Sequence, residues 1–127
     1  MSVIPIYAPL FAFMFVGLSV RTLVLRRRLG IPVGHGDHLL MHKAMRAHAN
    51  FAEYVPLALL LIALMDAHIA GDFWVHVACL SLALGRLLHA YGISQVDEDM
   101  RLRVAGMALT FTALLIAAKQ LLLSAVV

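Results

Sequence analysis

Charge is what this chain has least of. Only 13% of its 127 residues are Asp, Glu, Lys or Arg, about half the share carried by an average soluble domain. Cysteine is almost missing as well. The single Cys79 excludes an intramolecular disulfide and a thiolate metal cluster, and its apolar neighbours mark it as a small buried hydrophobe. The amino terminus has no basic stretch before the first apolar run, and Pro5 and Pro9 sit where the apolar core of a secretory signal would start. That first apolar segment is therefore expected to stay in the mature protein. Acids (7) are scarcer than Lys and Arg (10). The basic residues gather near the ends of apolar runs without an aromatic-interleaved basic surface, which argues against a nucleic-acid partner.

What is present in excess is apolar side chain: 63% of residues, with a mean hydropathy of +0.93. A membrane crossing needs about 20 apolar residues, so the length suits four crossings and leaves no separate soluble domain. The fold class expected is an all-α, four-transmembrane-helix bundle forming one domain over residues 1–127. Spans are expected at about 3–25, 42–70, 73–93 and 103–125. The second helix begins somewhere between His38 and His42. The first connection carries Arg26-Arg27-Arg28, Pro32 and three glycines, and the third carries Asp97-Glu98-Asp99, acids that suit the amino-terminal dipole of the next helix. Arg21, Arg26 to Arg28, Lys43, Arg46, Arg86, Arg101 and Arg103 all fall beside the first and third connections. The second has Asp66, His68 and Asp72 with no Lys or Arg. Basic residues collect on the cytoplasmic side, so both termini are expected outside the cytoplasm.

The segment Arg46-Ala-His-Ala-Asn50-Phe-Ala-Glu53-Tyr54-Val-Pro56 stands at the head of the charge-free run Val55 to Met65. At about 100° per residue, positions 46, 50 and 53 fall within roughly 60° of one another. Ionisable groups at membrane depth are costly and usually face a protein-lined cavity with a partner. The same end gathers His42 from the second helix, Arg86 and His89 from the third, Arg103 with Met107 and Thr110 from the fourth, and Arg21 and Arg26 from the first. Several cations around one carboxylate suit an anionic ligand that also carries an ammonium. Guanidinium groups take carboxylates through paired hydrogen bonds, while Glu53 takes the amine. Glutathione, with two carboxylates, an amine and a thiol, fits. A guanidinium beside its sulfur would favour the thiolate.

Periodicity leaves other readings open. Arg46 and Glu53 read equally as a structural pair joining helices, His89 as a helix contact, and Arg26 to Arg28 as topology determinants at the headgroups. Tyr7, Trp74 and Tyr91 read as interfacial or packing aromatics. His35, Asp37, His38 and His42 match no metal-binding spacing tied to a mechanism, and no metal is expected.

The motif Arg46-Ala47-His48-x-Asn50-x-x-Glu53-x-x-Pro56 resembles the second-helix signature of the membrane-associated proteins in eicosanoid and glutathione metabolism. Gly85-Arg86-x-x-His89 and the arginine opening the fourth helix are similar to the same family. The resemblance extends over essentially the whole chain. It implies a homotrimer that binds glutathione between subunits near the cytoplasmic face. It further implies that Arg46, Asn50, Glu53 and Tyr54 hold glutathione, with Arg26 from a neighbouring first helix and His89 from the third, and that Arg103 activates the thiol. Arg101 competes for that role but lies about 160° away from the side holding Met107 and Thr110. Two positions depart from relatives: Ile93 replaces a third-helix tyrosine, and Val104 replaces a serine after the fourth-helix arginine. Composition and the triple-arginine loop look more like the family's bacterial branch, in an inner membrane. The resemblance thus implies a glutathione-dependent transferase or peroxidase acting on a lipophilic electrophile or hydroperoxide drawn from membrane lipid. The alternative is a non-catalytic membrane protein that keeps the scaffold. A small four-span exporter fits less well, because such proteins place an acid in the first span and Val3 to Val20 has none.

Overall fold

A computed structural model describes residues 2–69, 72–95 and 97–126. Nearly all of them belong to four helices: α1 (Ile4–Leu29), α2 (Leu39–His68), α3 (Phe73–Ser94) and α4 (Met100–Val126). No strand occurs among the described residues. Each helix is long and apolar enough to cross a membrane. Even α3, with 22 residues, rises about 33 Å, against a hydrocarbon core of about 30 Å. The chain is the all-α, four-helix membrane bundle that its composition implies.

Helix ends differ from expectation where local chemistry overrides hydropathy. α1 continues past residue 25 through the arginine triplet, whose charges suit a helix carboxyl terminus. It stops at Gly30, which adopts the left-handed conformation (φ 65°) and donates its N–H to Arg26 O. α4 starts at Met100 rather than 103, because Asp99 ends the preceding loop. The Asp99 carboxylate accepts the Arg101 N–H at 2.9 Å. α2 starts at Leu39 after an extended His38 and ends at His68; the expected end at residue 70 lies outside the described residues.

The tightest contact is the crossing of α3 and α4, where glycines let backbones touch. A Cβ on Gly106 would lie 2.6 Å from Gly85 O and 2.7 Å from His89 N; one on Gly92 would lie 2.9 Å from Leu102 Cβ. Ser81 Oγ reinforces the crossing by donating to Leu109 O at 2.8 Å. Small residues matter here because lipid gives helices no hydrophobic reason to associate, so close packing and hydrogen bonds hold them together.

The core lies where α2 meets this pair. Phe51, Val55, Ala58, Ile62 and Met65 recur on one face of α2, buried with Val75, Ala78, Cys79 and Leu82 of α3 and Ala113 and Ala117 of α4. α1 is peripheral: Phe11 is its buried residue, and among the described residues it makes no contact with α4. Polar tethers hold it instead. At one end the Asp66 carboxylate accepts Ser2 Oγ at 2.5 Å, Val3 N at 2.8 Å and Ile4 N at 3.1 Å, capping α1 from α2. Tyr7 Oη meets His76 Nδ1 at 2.9 Å. Toward the other end Ser19 Oγ meets His48 Nε2 at 3.0 Å, and Arg21 donates to Ser94 Oγ at 2.6 Å.

Replacing an exposed helix glycine by alanine adds about 1 kcal/mol of helix propensity. Gly106→Ala is expected to do the opposite, lowering stability by about 1–3 kcal/mol through overpacking against Gly85 O. Thermal unfolding in detergent checks this, with the exposed Ala118→Val as a control that leaves the midpoint in place.

Candidate functional site

The α3–α4 crossing carries Arg86 and His89 to the end of the bundle that also holds the first and third connections. A groove of about 390 Å³ opens there, lined by Asn50 of α2, His89 of α3, and Met100, Arg103, Val104, Met107, Ala108 and Phe111 of α4. Its chemistry is set by four groups that sit in or directly behind its wall.

Arg86 is 1% exposed. One terminal nitrogen donates to Asn50 Oδ1 at 2.6 Å and the other to Met107 Sδ at 3.3 Å. The Tyr54 ring lies 5.9 Å from the guanidinium carbon, and Tyr54 itself packs edge-on against Phe111. No carboxylate pairs with Arg86 among the described residues, and its Nε has no hydrogen-bond partner. A buried guanidinium without a counter-ion is expensive. Here its partner is the Asn50 amide oxygen, on a residue that also lines the groove. His89 is 4% exposed and lies within electrostatic reach of Arg86, Arg103, Arg46 and Glu98.

Arg103 donates to the Glu98 carboxylate from the third connection. The other Glu98 oxygen lies 3.8 Å from Lys43 Nζ, which donates to Gln95 O at 2.8 Å. Arg103 Nε is buried with no hydrogen-bond partner. Of the two arginines that open α4, Arg103 lines the groove, whereas Arg101 is exposed and does not.

Asn50, His89 and Arg103 are therefore brought together at the groove, with Tyr54 against its wall. Arg46 and Glu53 lie beside it on α2, 3.8 Å apart with each side chain about half exposed (49% and 53%). That is a loose surface pair, not a mutually consumed one. Arg26 does not line the groove. Its guanidinium holds the first connection, donating to Gly34 O at 2.9 Å and Ile31 O at 3.3 Å. His48, within the second-helix motif, turns away to α1, stacking on Phe15 at 4.9 Å. Ile93 is buried and Val104 lines the groove. His35 and His42 touch edge-on at 4.9 Å, and no group of three metal-binding side chains gathers among the described residues.

Lys43 and Glu98 are parts of this site that hydropathy and motif spacing did not reveal. A signal existed for Lys43. It falls on the same helical stripe as Ala47, Phe51, Val55, Ala58 and Ile62, all buried, and a cation on a buried stripe needs an anion. Glu98 has no comparable mark, since its neighbours Asp97 and Asp99 are acids of the same loop.

Four long apolar helices, with a groove lined by an asparagine, a histidine and an arginine between the second, third and fourth at one end, define a four-helix membrane bundle. The chain belongs to the MAPEG family, whose model matches residues 4–123. It is 33% identical over 111 residues to "Inner membrane protein YecN" of Escherichia coli K12, covering 87% of this chain and 83% of that one. The protein of the same name from Escherichia coli O6:H1 matches to the same extent.

The unneutralised Arg86 gives a direct test. Asn50→Leu removes a hydrogen bond to a charged group and is expected to lower stability by about 1.5–3 kcal/mol. Asn50→Asp supplies a carboxylate at the same place and is expected to raise the thermal midpoint above wild type. Both are read by unfolding in detergent.

Proposed function

We propose that this protein is a glutathione-dependent membrane transferase or peroxidase. One observation carries the reading: a groove in a lipid-embedded bundle is backed by a buried arginine without a carboxylate partner and lined by a second arginine, a histidine and an asparagine. The excess positive charge favours an anion, and the bilayer delivers lipophilic partners to the same place. In this reading Arg46, Asn50, Glu53, Tyr54 and His89 bind the tripeptide: Arg46 takes a carboxylate and Glu53 the ammonium. Arg26 adds to the site from a neighbouring copy in a homotrimer.

Arg103 stabilises the thiolate. Glutathione's thiol proton passes to water, and the sulfur lone pair attacks an electrophilic carbon as its leaving group departs with the bonding electrons. With a hydroperoxide the thiolate attacks the terminal oxygen, and the O–O bond breaks to give an alcohol. A second glutathione then completes the disulfide and releases water, so two thiols are oxidised as one peroxide is reduced. In this reading the protein sits in a bacterial inner membrane, as the name of its relative suggests, and the basic residues beside the first and third connections turn the groove to the cytoplasm and leave both termini outside.

Isothermal titration of glutathione into the detergent-purified protein tests the reading. Saturable binding is expected. Arg103→Ala and Glu53→Gln should each weaken it by about tenfold, the scale of one charge-assisted contact of about 1.4 kcal/mol. Absence of binding, or variants that match wild type, sinks it. A reporter fused at the second connection checks the orientation, and a cytoplasmic signal there reverses it.

The alternative is a non-catalytic protein that retains the scaffold. Ile93 and Val104, which carry no hydroxyl to donate to a thiolate, are the observations in its favour. Conjugation of a general electrophile by the purified protein separates the two.

A further inference from the structure

The ligand-binding groups proposed above leave unexplained why Arg103 already has an anion. Glu98 lies in the short connection before α4, not on the α2 motif. Its two oxygens reach two different cations: one accepts from the Arg103 guanidinium, while the other is 3.8 Å from Lys43 Nζ. The Glu98 side chain is 23% exposed and that of Lys43 is 11% exposed, so both charges are partly withdrawn from water and their interaction is poorly screened. Glu98 engages a terminal nitrogen of Arg103 and leaves Nε, which is buried, without a partner. The guanidinium that lines the groove is thus half used by a carboxylate of the chain itself, and a second cation, Lys43, lies on the far side of that carboxylate.

Resting on the functional reading above, we propose that Glu98 is a specificity-determining residue. It is the resident counter-ion of Arg103, which an incoming anionic thiol compound displaces toward Lys43. The thiolate of the ligand replaces the Glu98 carboxylate on the guanidinium, so Arg103 has an anion beside it whether or not a ligand is bound. Affinity is then set by the difference between the two contacts, not by the new one alone. Neutral lipophiles gain nothing from the exchange and are not selected by Arg103. Lys43 holds the released carboxylate close to the mouth while tied to Gln95 O, which limits how far the third connection must move.

Two substitutions with opposite expected signs test this, because a merely structural role for the cluster would shift both in the same direction. Glutathione is titrated calorimetrically into the full-length protein in detergent. Glu98→Gln removes the competing charge and is expected to tighten binding about tenfold, equivalent to about 1.4 kcal/mol. Lys43→Met removes the alternative partner and is expected to weaken binding about three- to tenfold. Asp97→Asn, an exposed acid of the same loop, controls for general charge and should stay within about twofold of wild type. Wild-type binding with Glu98→Gln equal or weaker overturns this proposal and leaves the functional reading standing. Tightening by Asp97→Asn as large as that of Glu98→Gln also overturns it. If Glu98→Gln fails to fold, Lys43→Met decides alone, and unchanged or tighter binding is fatal. Absence of binding in wild type and Glu98→Gln alike removes both the proposal and the reading it rests on.

Discussion

Backbone contact between α3 and α4 at Gly85, Gly92 and Gly106 fixes the geometry from which the rest of the bundle follows. Where a Cβ would sit 2.6 Å from a carbonyl oxygen, neither helix can slide or roll without separating, so their register is set to a fraction of a turn. That register brings Arg86 of α3 against Met107 of α4 and His89 of α3 into the groove that Arg103 lines. A wider crossing, filled by leucines, would move these groups apart by the thickness of a side chain. It would also admit lipid or water between them. The polar groove is in this sense a by-product of small residues, and its precision is borrowed from a contact with no chemistry of its own.

Around that crossing the electrostatics run opposite to ordinary membrane-protein practice. Charges buried in a bundle are usually matched; at the far end the Asp66 carboxylate satisfies three donors at the start of α1. At the groove end the balance is unequal. Arg86 faces an amide oxygen and a thioether instead of a carboxylate, while Glu98 is divided between Lys43 and Arg103. Positive charge exceeds negative in a region partly shielded from solvent. The loose Arg46–Glu53 pair beside the groove keeps donors and acceptors at the surface.

Much of the fold was legible because hydropathy is a collective signal. Four runs of apolar residues separated by glycine, proline and charge define four helices whatever their packing. Boundaries were less legible, since capping by Gly30 and Asp99 depends on single residues, not on averages. Within the groove, Asn50, His89 and Arg103 could be named because helical spacing and a family motif pointed to them. Arg26 does not line the groove, and its guanidinium is spent on the loop it closes. Sequence alone marks Lys43 as a topology charge and Glu98 as a charge suited to a helix dipole. Their partnership joins α2 to the third connection across 55 positions of sequence, and no local pattern encodes a contact of that range. His48 shows the converse: a residue inside a functional motif whose ring serves the contact with α1.

The slight burial of α1 has a consequence for the order in which this protein is consolidated. The ribosome delivers α1 to the membrane before the other three helices, yet the groups that hold it arrive later. Asp66 and His48 come with α2, and His76 and Ser94 with α3. Until those helices insert, the Ser2, Val3 and Ile4 donors must be hydrated at the bilayer surface, and the Arg21 side chain must reach for headgroups. α1, made before the other three helices, is thus among the last to be secured, and its final tilt is dictated by helices that had not yet been made when it entered the lipid.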